Sequence, residues 1–229
     1  MNVAIHQPNY APWLGYFNKI ARSDAFVFLD DVQYSRGSYT NRVRIGRSRK
    51  AVWLTQPIKR DFGGAICETS FSEDDWPARH LDTLKGTYRR AAAFNETWPT
   101  VRAIWEEIPL ATLAAANRHI VEALAASIDL KPRFLISSAL PTAGFTGDER
   151  LAQIMRAVAP DGGIYLSGKG GSGYQSPETF SIAGYELLYA EFQHPEYARG
   201  GEPFMAGLSV LDALFHVGAD TTRRLVCAL

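Results

Sequence analysis

His6, Asp30 and Asp31 are the residues whose types could carry proton chemistry in this chain of 229 residues. A neutral imidazole can take a proton from an attacking amine or hydroxyl, and a carboxylate can orient that imidazole or bind the nucleophile. His6 is followed by Gln7, Pro8 and Asn9, and the acidic pair by Gln33, so amide donors and acceptors accompany both. These groups are distant in sequence. Only the fold can bring them together.

The elements that position them are legible. Val3, Ala4 and Ile5 form an apolar run that His6-Gln7-Pro8 stops, which reads as a strand. Pro12 suits the first turn of a helix, and Trp13, Leu14, Tyr16, Phe17 and Ile20 give an apolar face, so a helix is expected from Pro12 to about Arg22. Ser23-Asp24 breaks it. Ala25 to Leu29 is then a continuous apolar run of the kind buried on both faces, ending at Asp30-Asp31. Strands joined by a helical crossover lie parallel, so His6 and the aspartates leave the sheet at one carboxyl edge, where open α/β sheets bind ligands.

Downstream, alternation at Val43 and Ile45, then at Val52 and Leu54, predicts a β-hairpin with its turn at Gly46–Lys50. This is the most basic stretch. Most of its arginines read as solvated surface, but Arg42 and Lys59 bracket the hairpin near the expected site and could hold a phosphate or carboxylate. Residues 73–130 read as a helical insertion in which His80 and His119 are packing histidines rather than metal ligands. Strand, helix and strand then recur, from Arg133-Phe134-Leu135-Ile136 through Leu151–Val158 to Gly163–Ser167. The last of these opens into Gly168-Lys169-Gly170-Gly171-Ser172-Gly173-Tyr174, whose backbone N–H groups could wrap an anion, with Lys169 adding charge. Neither GxxxxGK[ST] nor GxGxxG is present. A short helix after Pro177, a strand from Tyr185 to Phe192, a helix ending near Gly218 and a last helix from Asp220 complete the chain. The expected class is α/β, a mostly parallel sheet wrapped by helices with a β-hairpin and a helical insertion. One domain is expected over residues 1–229: a first α/β half with the hairpin at 1–72, the insertion at 73–130 and a second half at 131–229.

Composition narrows the classes of function. Lysine plus arginine and aspartate plus glutamate both number 24, so no bulk attraction to nucleic acid or a membrane surface is implied. Cys67 and Cys227 are too few for a disulfide frame or a zinc site, and no run approaches the ~18 apolar residues of a spanning helix. A cytoplasmic protein without membrane insertion is expected. A triad assembled from Ser137 or Ser167 with His6 and Asp30 lacks the G-x-S-x-G elbow, Cys67 reads as an incidental thiol, and His194 belongs at most to the site's rim.

The chain resembles the WbqC-like family of bacterial proteins, associated with gene clusters for O-antigen and other surface polysaccharides. The resemblance is carried by HQPNYAPWLGYFNKIARSDAFVFLDDVQYS, NRVRI, WLTQPIK, YLSGKGGSGY and LSVLDALFHVG, in that order and over nearly the full length. It implies His6, Gln7, Asn9, Asp30, Asp31, Gln33, Asn41 and Arg42 as site positions, followed by Gly168, Gly170 and Tyr174; Gly37 stands where other members carry a bulkier or basic residue. It also implies an enzyme passing an acyl or aminoacyl group, such as glycyl, from a carrier-protein thioester to the amine of a sugar nucleotide. In that scheme a thioester is already activated, so no metal or redox cofactor is expected, and the partners are the sugar nucleotide and an acyl carrier protein. Two alternatives stand beside it: nucleotidyl or adenylyl transfer, since a histidine after the first strand also suits nucleotidyltransferases, and a non-catalytic binding protein of the pathway.

Overall fold

The computed structural model describes residues 1–59, 63–173 and 175–228. Strand β1 (Asn2–His6) leads through helix α1 (Leu14–Ala21) to β2 (Ala25–Phe28). The hairpin β3 (Arg42–Arg47) and β4 (Lys50–Thr55) follows, then α2 (Trp76–Tyr88), α3 (Phe94–Glu106) and α4 (Leu113–Ser127). The remainder is β5 (Arg133–Ile136), α5 (Gly147–Val158), β6 (Gly163–Gly168), α6 (Pro177–Ile182), β7 (Tyr185–Ala190) and α7 (Val210–Cys227).

The five strands outside the hairpin form a single parallel sheet in the order β5-β2-β1-β6-β7. The chain therefore builds outward from β1 in one direction through β2 and β5, then returns to add β6 and β7 on the other side. A right-handed crossover puts its helix on opposite faces for opposite directions of travel. The two cores show this: Ala4, Phe26, Phe28 and Leu166 pack against α1, α2–α4 and α7, whereas Val3, Ile5, Val27 and Tyr165 pack against α5 and α6. Reversal of the building direction leaves a crevice between the carboxyl ends of β1 and β6. That topological switch point is where open α/β sheets take ligands.

Two elements differ from expectation for long-range reasons. Helix α1 starts at Leu14 rather than Pro12, because Trp13 is extended and bridges Ser209 while the Pro12 carbonyl accepts from Val210 N at 2.8 Å. Helix α7 joins the two expected C-terminal helices, with non-helical geometry at Gly218 (φ 76°) marking their junction.

Candidate functional site

His6 ends β1 on the α1 face of the sheet, with its ring 4.7 Å from Tyr16 and 6.5 Å from Trp13. Its Nδ1–H donates to the Gln7 carbonyl at 3.1 Å, so Nε2 is the basic nitrogen, and it has no partner among the described residues. Burial, and then the charge of Lys19, hold the imidazole down to about 3 against the smaller upward pull of that carbonyl. The ring is therefore neutral at physiological pH, with a lone pair turned to the part-exposed side of the residue.

The aspartates are engaged elsewhere. Asp30 accepts from Ser138 N at 2.9 Å, Ser138 Oγ at 2.8 Å and Ser137 Oγ at 3.0 Å, while its own N–H donates to Ser137 Oγ at 3.1 Å. Asp31 accepts from Ser137 Oγ and pairs with Arg150 of α5. The expected pairing of His6 with an aspartate is not formed. Parallel register does put His6 beside Phe28 at the same edge, but the imidazole turns to α1 and both carboxylates turn to the end of β5. For the same reason Ser137 meets Asp30 without an imidazole between them.

A cavity of about 700 Å³ opens where the segment after β2 meets the hairpin. It brings together Gln33, Asn41, Arg42 and Lys59, four of the predicted substrate contacts, with Arg36 and Gln56. No carboxylate lines it among the described residues. The Tyr34 hydroxyl donates to Asn41 Oδ1 at 2.9 Å, and Asn41 Nδ2 donates to the Gln56 carbonyl at 3.1 Å. The Arg42 guanidinium lies 4.2 Å from the Trp53 ring centroid and donates to the Gly37 carbonyl, leaving its Nε without a partner. Gly37 has φ +75°, which explains why glycine stands at this turn. Gln56 is 0% exposed, and neither its Oε1 nor its Nε2 has a partner among the described residues. A buried amide with both ends unmet is costly, and a ligand with hydroxyl or carbonyl groups would satisfy it. No sequence pattern marks Gln56, since a glutamine before Pro57 at a strand end reads as a simple terminator.

The loop after His6 fastens one region to the other. Gln7 Oε1 accepts from Thr40 Oγ1 at 3.3 Å, the Gln7 carbonyl accepts from the Tyr16 hydroxyl at 2.9 Å, and Asn9 is buried alongside. Asn117 Nδ2 of α4 donates to both Pro8 O at 2.9 Å and Thr40 O at 2.6 Å. The end of β1 and the cavity wall at Asn41 are thus clamped to one helix.

Beyond β6, Gly168 is part-exposed, Lys169 and Gly170 are exposed, and a 3-10 turn runs over Lys169–Gly173; Tyr174 lies outside the described residues. Gly168 adjoins a residue the sequence did not single out. Lys19 of α1 is 3% exposed, with Nζ 3.4 Å from Ile5 O and 3.9 Å from where a Cβ at Gly168 would stand. Burial alone lowers its amine to about 7. The signal was its place between Phe17 and Ile20 on the core side of α1, where a lysine stem cannot easily reach water.

The other histidines and Cys67 are placed as follows. His80 Nε2–H donates to Thr55 O at 3.1 Å while Nδ1 accepts from the Tyr10 hydroxyl at 2.6 Å, and burial takes its pKa to about 4. His119 bonds Ile104 O at 3.0 Å. His194 shares a cavity of about 240 Å³ with Trp13, Tyr39 and Arg44. The Cys67 thiol is pushed up by burial and then by Asp30 and other nearby carboxylates, the opposite of nucleophile activation. Among the described residues no cluster of three or more His, Cys, Asp or Glu could hold a metal, and no helix is long and apolar enough to cross a membrane.

A five-stranded doubly wound sheet, with a cavity lined in part by cations and amides beside its carboxyl edge, defines an α/β protein. The chain belongs to the WbqC-like protein family, whose model matches residues 7–224. It is 32% identical over 222 residues to the uncharacterized protein Rv1507c of Mycobacterium tuberculosis, covering 95% of this chain and 94% of that one. No solved structure matches it.

Proposed function

We propose that this protein is a transferase of surface-glycoconjugate assembly that holds a nucleotide-linked amino sugar in the hairpin cavity and acylates its amine. One observation carries the reading: Arg36, Arg42 and Lys59 line a cavity with Gln33, Asn41 and the unpartnered Gln56, with no carboxylate among the described lining residues. Cations fit phosphate, and amides fit sugar hydroxyls and the nucleobase. The volume of about 700 Å³ lies within the range of small-molecule sites.

In this reading the amine nitrogen attacks the carbonyl carbon of a carrier thioester, a C–N bond forms and the C–S bond breaks. The amine's proton passes through a base to the departing thiolate. His6 is not among the described residues lining this cavity and, held near 3, is a weak base, so the reading does not rest on it as the proton acceptor. The test mixes the purified protein with acylated carrier protein and a panel of amino-sugar nucleotides and seeks the new amide by mass spectrometry. Amide formation supports the reading, and its absence across the panel overturns it.

Nucleotidyl or adenylyl transfer is a second reading, favoured by the switch point between β1 and β6, with His6 on one side and the glycine loop on the other. It predicts stabilisation by ATP with magnesium, whereas the acyltransferase reading predicts stabilisation by sugar nucleotides alone.

A further inference from the structure

Lys19 is 3% exposed and has no counter-ion among the described residues. Its ammonium has three protons to donate and one acceptor in the protein, the long contact to Ile5 O at 3.4 Å. Among the described residues no charged neighbour contributes to its lowered pKa, and its charge in turn acts on His6. A lysine of the ordinary amphipathic kind runs its stem along the core and puts its amine in water. This one stops inside. Burying an amine without a counter-ion is costly, and folds keep such groups where a ligand makes up the deficit.

The position says where that ligand would sit. Nζ stands behind Gly168, 3.9 Å from the place a Cβ would occupy, and Gly168 is the last residue of β6. His6, the last residue of β1, stands on the same face, with its Nε2 unpaired. The crevice between these strand ends is the point where the sheet reverses its building direction. At the Cβ position of Gly168 the neighbour within 4 Å is Lys19 Nζ itself, and the Cβ position of Gly170 has nothing within 4 Å. A compact ammonium beside bare glycine backbone matches a tetrahedral dianion better than a planar or neutral group.

We propose that Lys19 anchors a phosphoryl group seated in the crevice between the carboxyl ends of β1 and β6, against Gly168 and His6. This site shares no lining residue with the hairpin cavity and does not depend on the transferase reading.

Inorganic pyrophosphate is the probe, titrated calorimetrically into the whole chain carrying Arg42→Ala and Lys59→Ala so that the hairpin cavity is disabled. The expected result is one site whose affinity falls by about tenfold or more on adding Lys19→Met, with Lys19→Arg restoring part of it. Binding to the Lys19 protein at pH 8 is accompanied by proton uptake, read by repeating the titration in buffers of different ionisation enthalpy. Lys19→Met folds about as stably as the parent, because it replaces a buried amine that makes one long hydrogen bond with an apolar side chain of similar length. Gly168→Val is a second variant that leaves the amine in place and blocks the approach; it too loses pyrophosphate. No pyrophosphate binding in the cavity-disabled protein, or binding unchanged by Lys19→Met and by Gly168→Val, overturns the proposal.

Discussion

Ser138 gives Asp30 both of its donors, the backbone N–H at 2.9 Å and the hydroxyl at 2.8 Å. The pair ties the end of β2 to the end of β5 across the sheet, and it makes Asp30 a positioning residue for the carboxyl edge. Asp30→Ala removes three accepted hydrogen bonds from a carboxylate that is 5% exposed, while exposed Ser138 turns to water and Ser137 Oγ keeps Asp31, and is expected to cost about 1–2 kcal/mol in urea unfolding. A double-mutant cycle with Ser138→Ala should return a coupling of roughly 1 kcal/mol or more. Strict additivity would remove the tie.

Histidine burial sets an acid limit on stability. His80 titrates at about 4 when folded and at 6.5 when free, so between these values the unfolded chain binds more protons. Stability therefore rises with pH across that window and is lost as pH falls from 6.5 toward 4. His6 adds the same sign over a window from about 3 to 6.5, discounted for its partial exposure. Urea midpoints measured from pH 4 to 7 should fall toward the acid end, and His80→Gln should flatten the slope. An unchanged slope in that variant contradicts the assignment.

Gly46 makes room for a buried ion pair. Arg199 holds Asp212 through Nε at 2.7 Å and Nη2 at 3.0 Å, with side-chain exposures of 1% and 0%, and a Cβ at position 46 would collide with that guanidinium. The Tyr88 and Tyr197 hydroxyls donate to the same carboxylate. Gly46→Ala should thus displace Arg199 and cost about 3–5 kcal/mol, the cost of stranding a buried charge. A loss under about 1 kcal/mol would mean the hairpin can shift away.

If the hairpin cavity is the substrate site as proposed, Gln56 trades stability for recognition. Gln56→Leu removes two unmet polar atoms from the interior and should stabilise the chain by about 1–2 kcal/mol in thermal or urea unfolding. The same change should weaken sugar-nucleotide binding roughly tenfold. Destabilisation with unaltered binding would show that the amide has a structural partner instead.

The sequence carried the edges of the sheet further than its faces. Apolar runs and breakers placed β1, α1, β2, the hairpin and the glycine loop, because local periodicity and turn chemistry decide those elements. Strand order was not legible, since nothing in a run such as Ala25–Leu29 says which neighbour it pairs with. Placing His6 and Asp30 at one edge followed from topology, but which way each side chain turns depends on partners at Ser137, Ser138 and Tyr16, far off in the chain. Of the cavity residues, Arg42 and Lys59 were marked by type and proximity to the hairpin, Gln33 by its place after the acidic pair, and Asn41 by the family resemblance alone. Lys19 and Gln56 were not, because their significance is an unmet hydrogen-bonding capacity, and that exists only once burial is known.

The most direct measurement of the central claim is calorimetric titration of the intact protein with a uridine diphosphate amino sugar, beside the Arg42→Ala/Lys59→Ala variant. Binding that falls by about tenfold or more in the variant, with the thermal stability of the protein unchanged, is the predicted result. Equal affinity in the two proteins would contradict the assignment of the hairpin cavity as the substrate site.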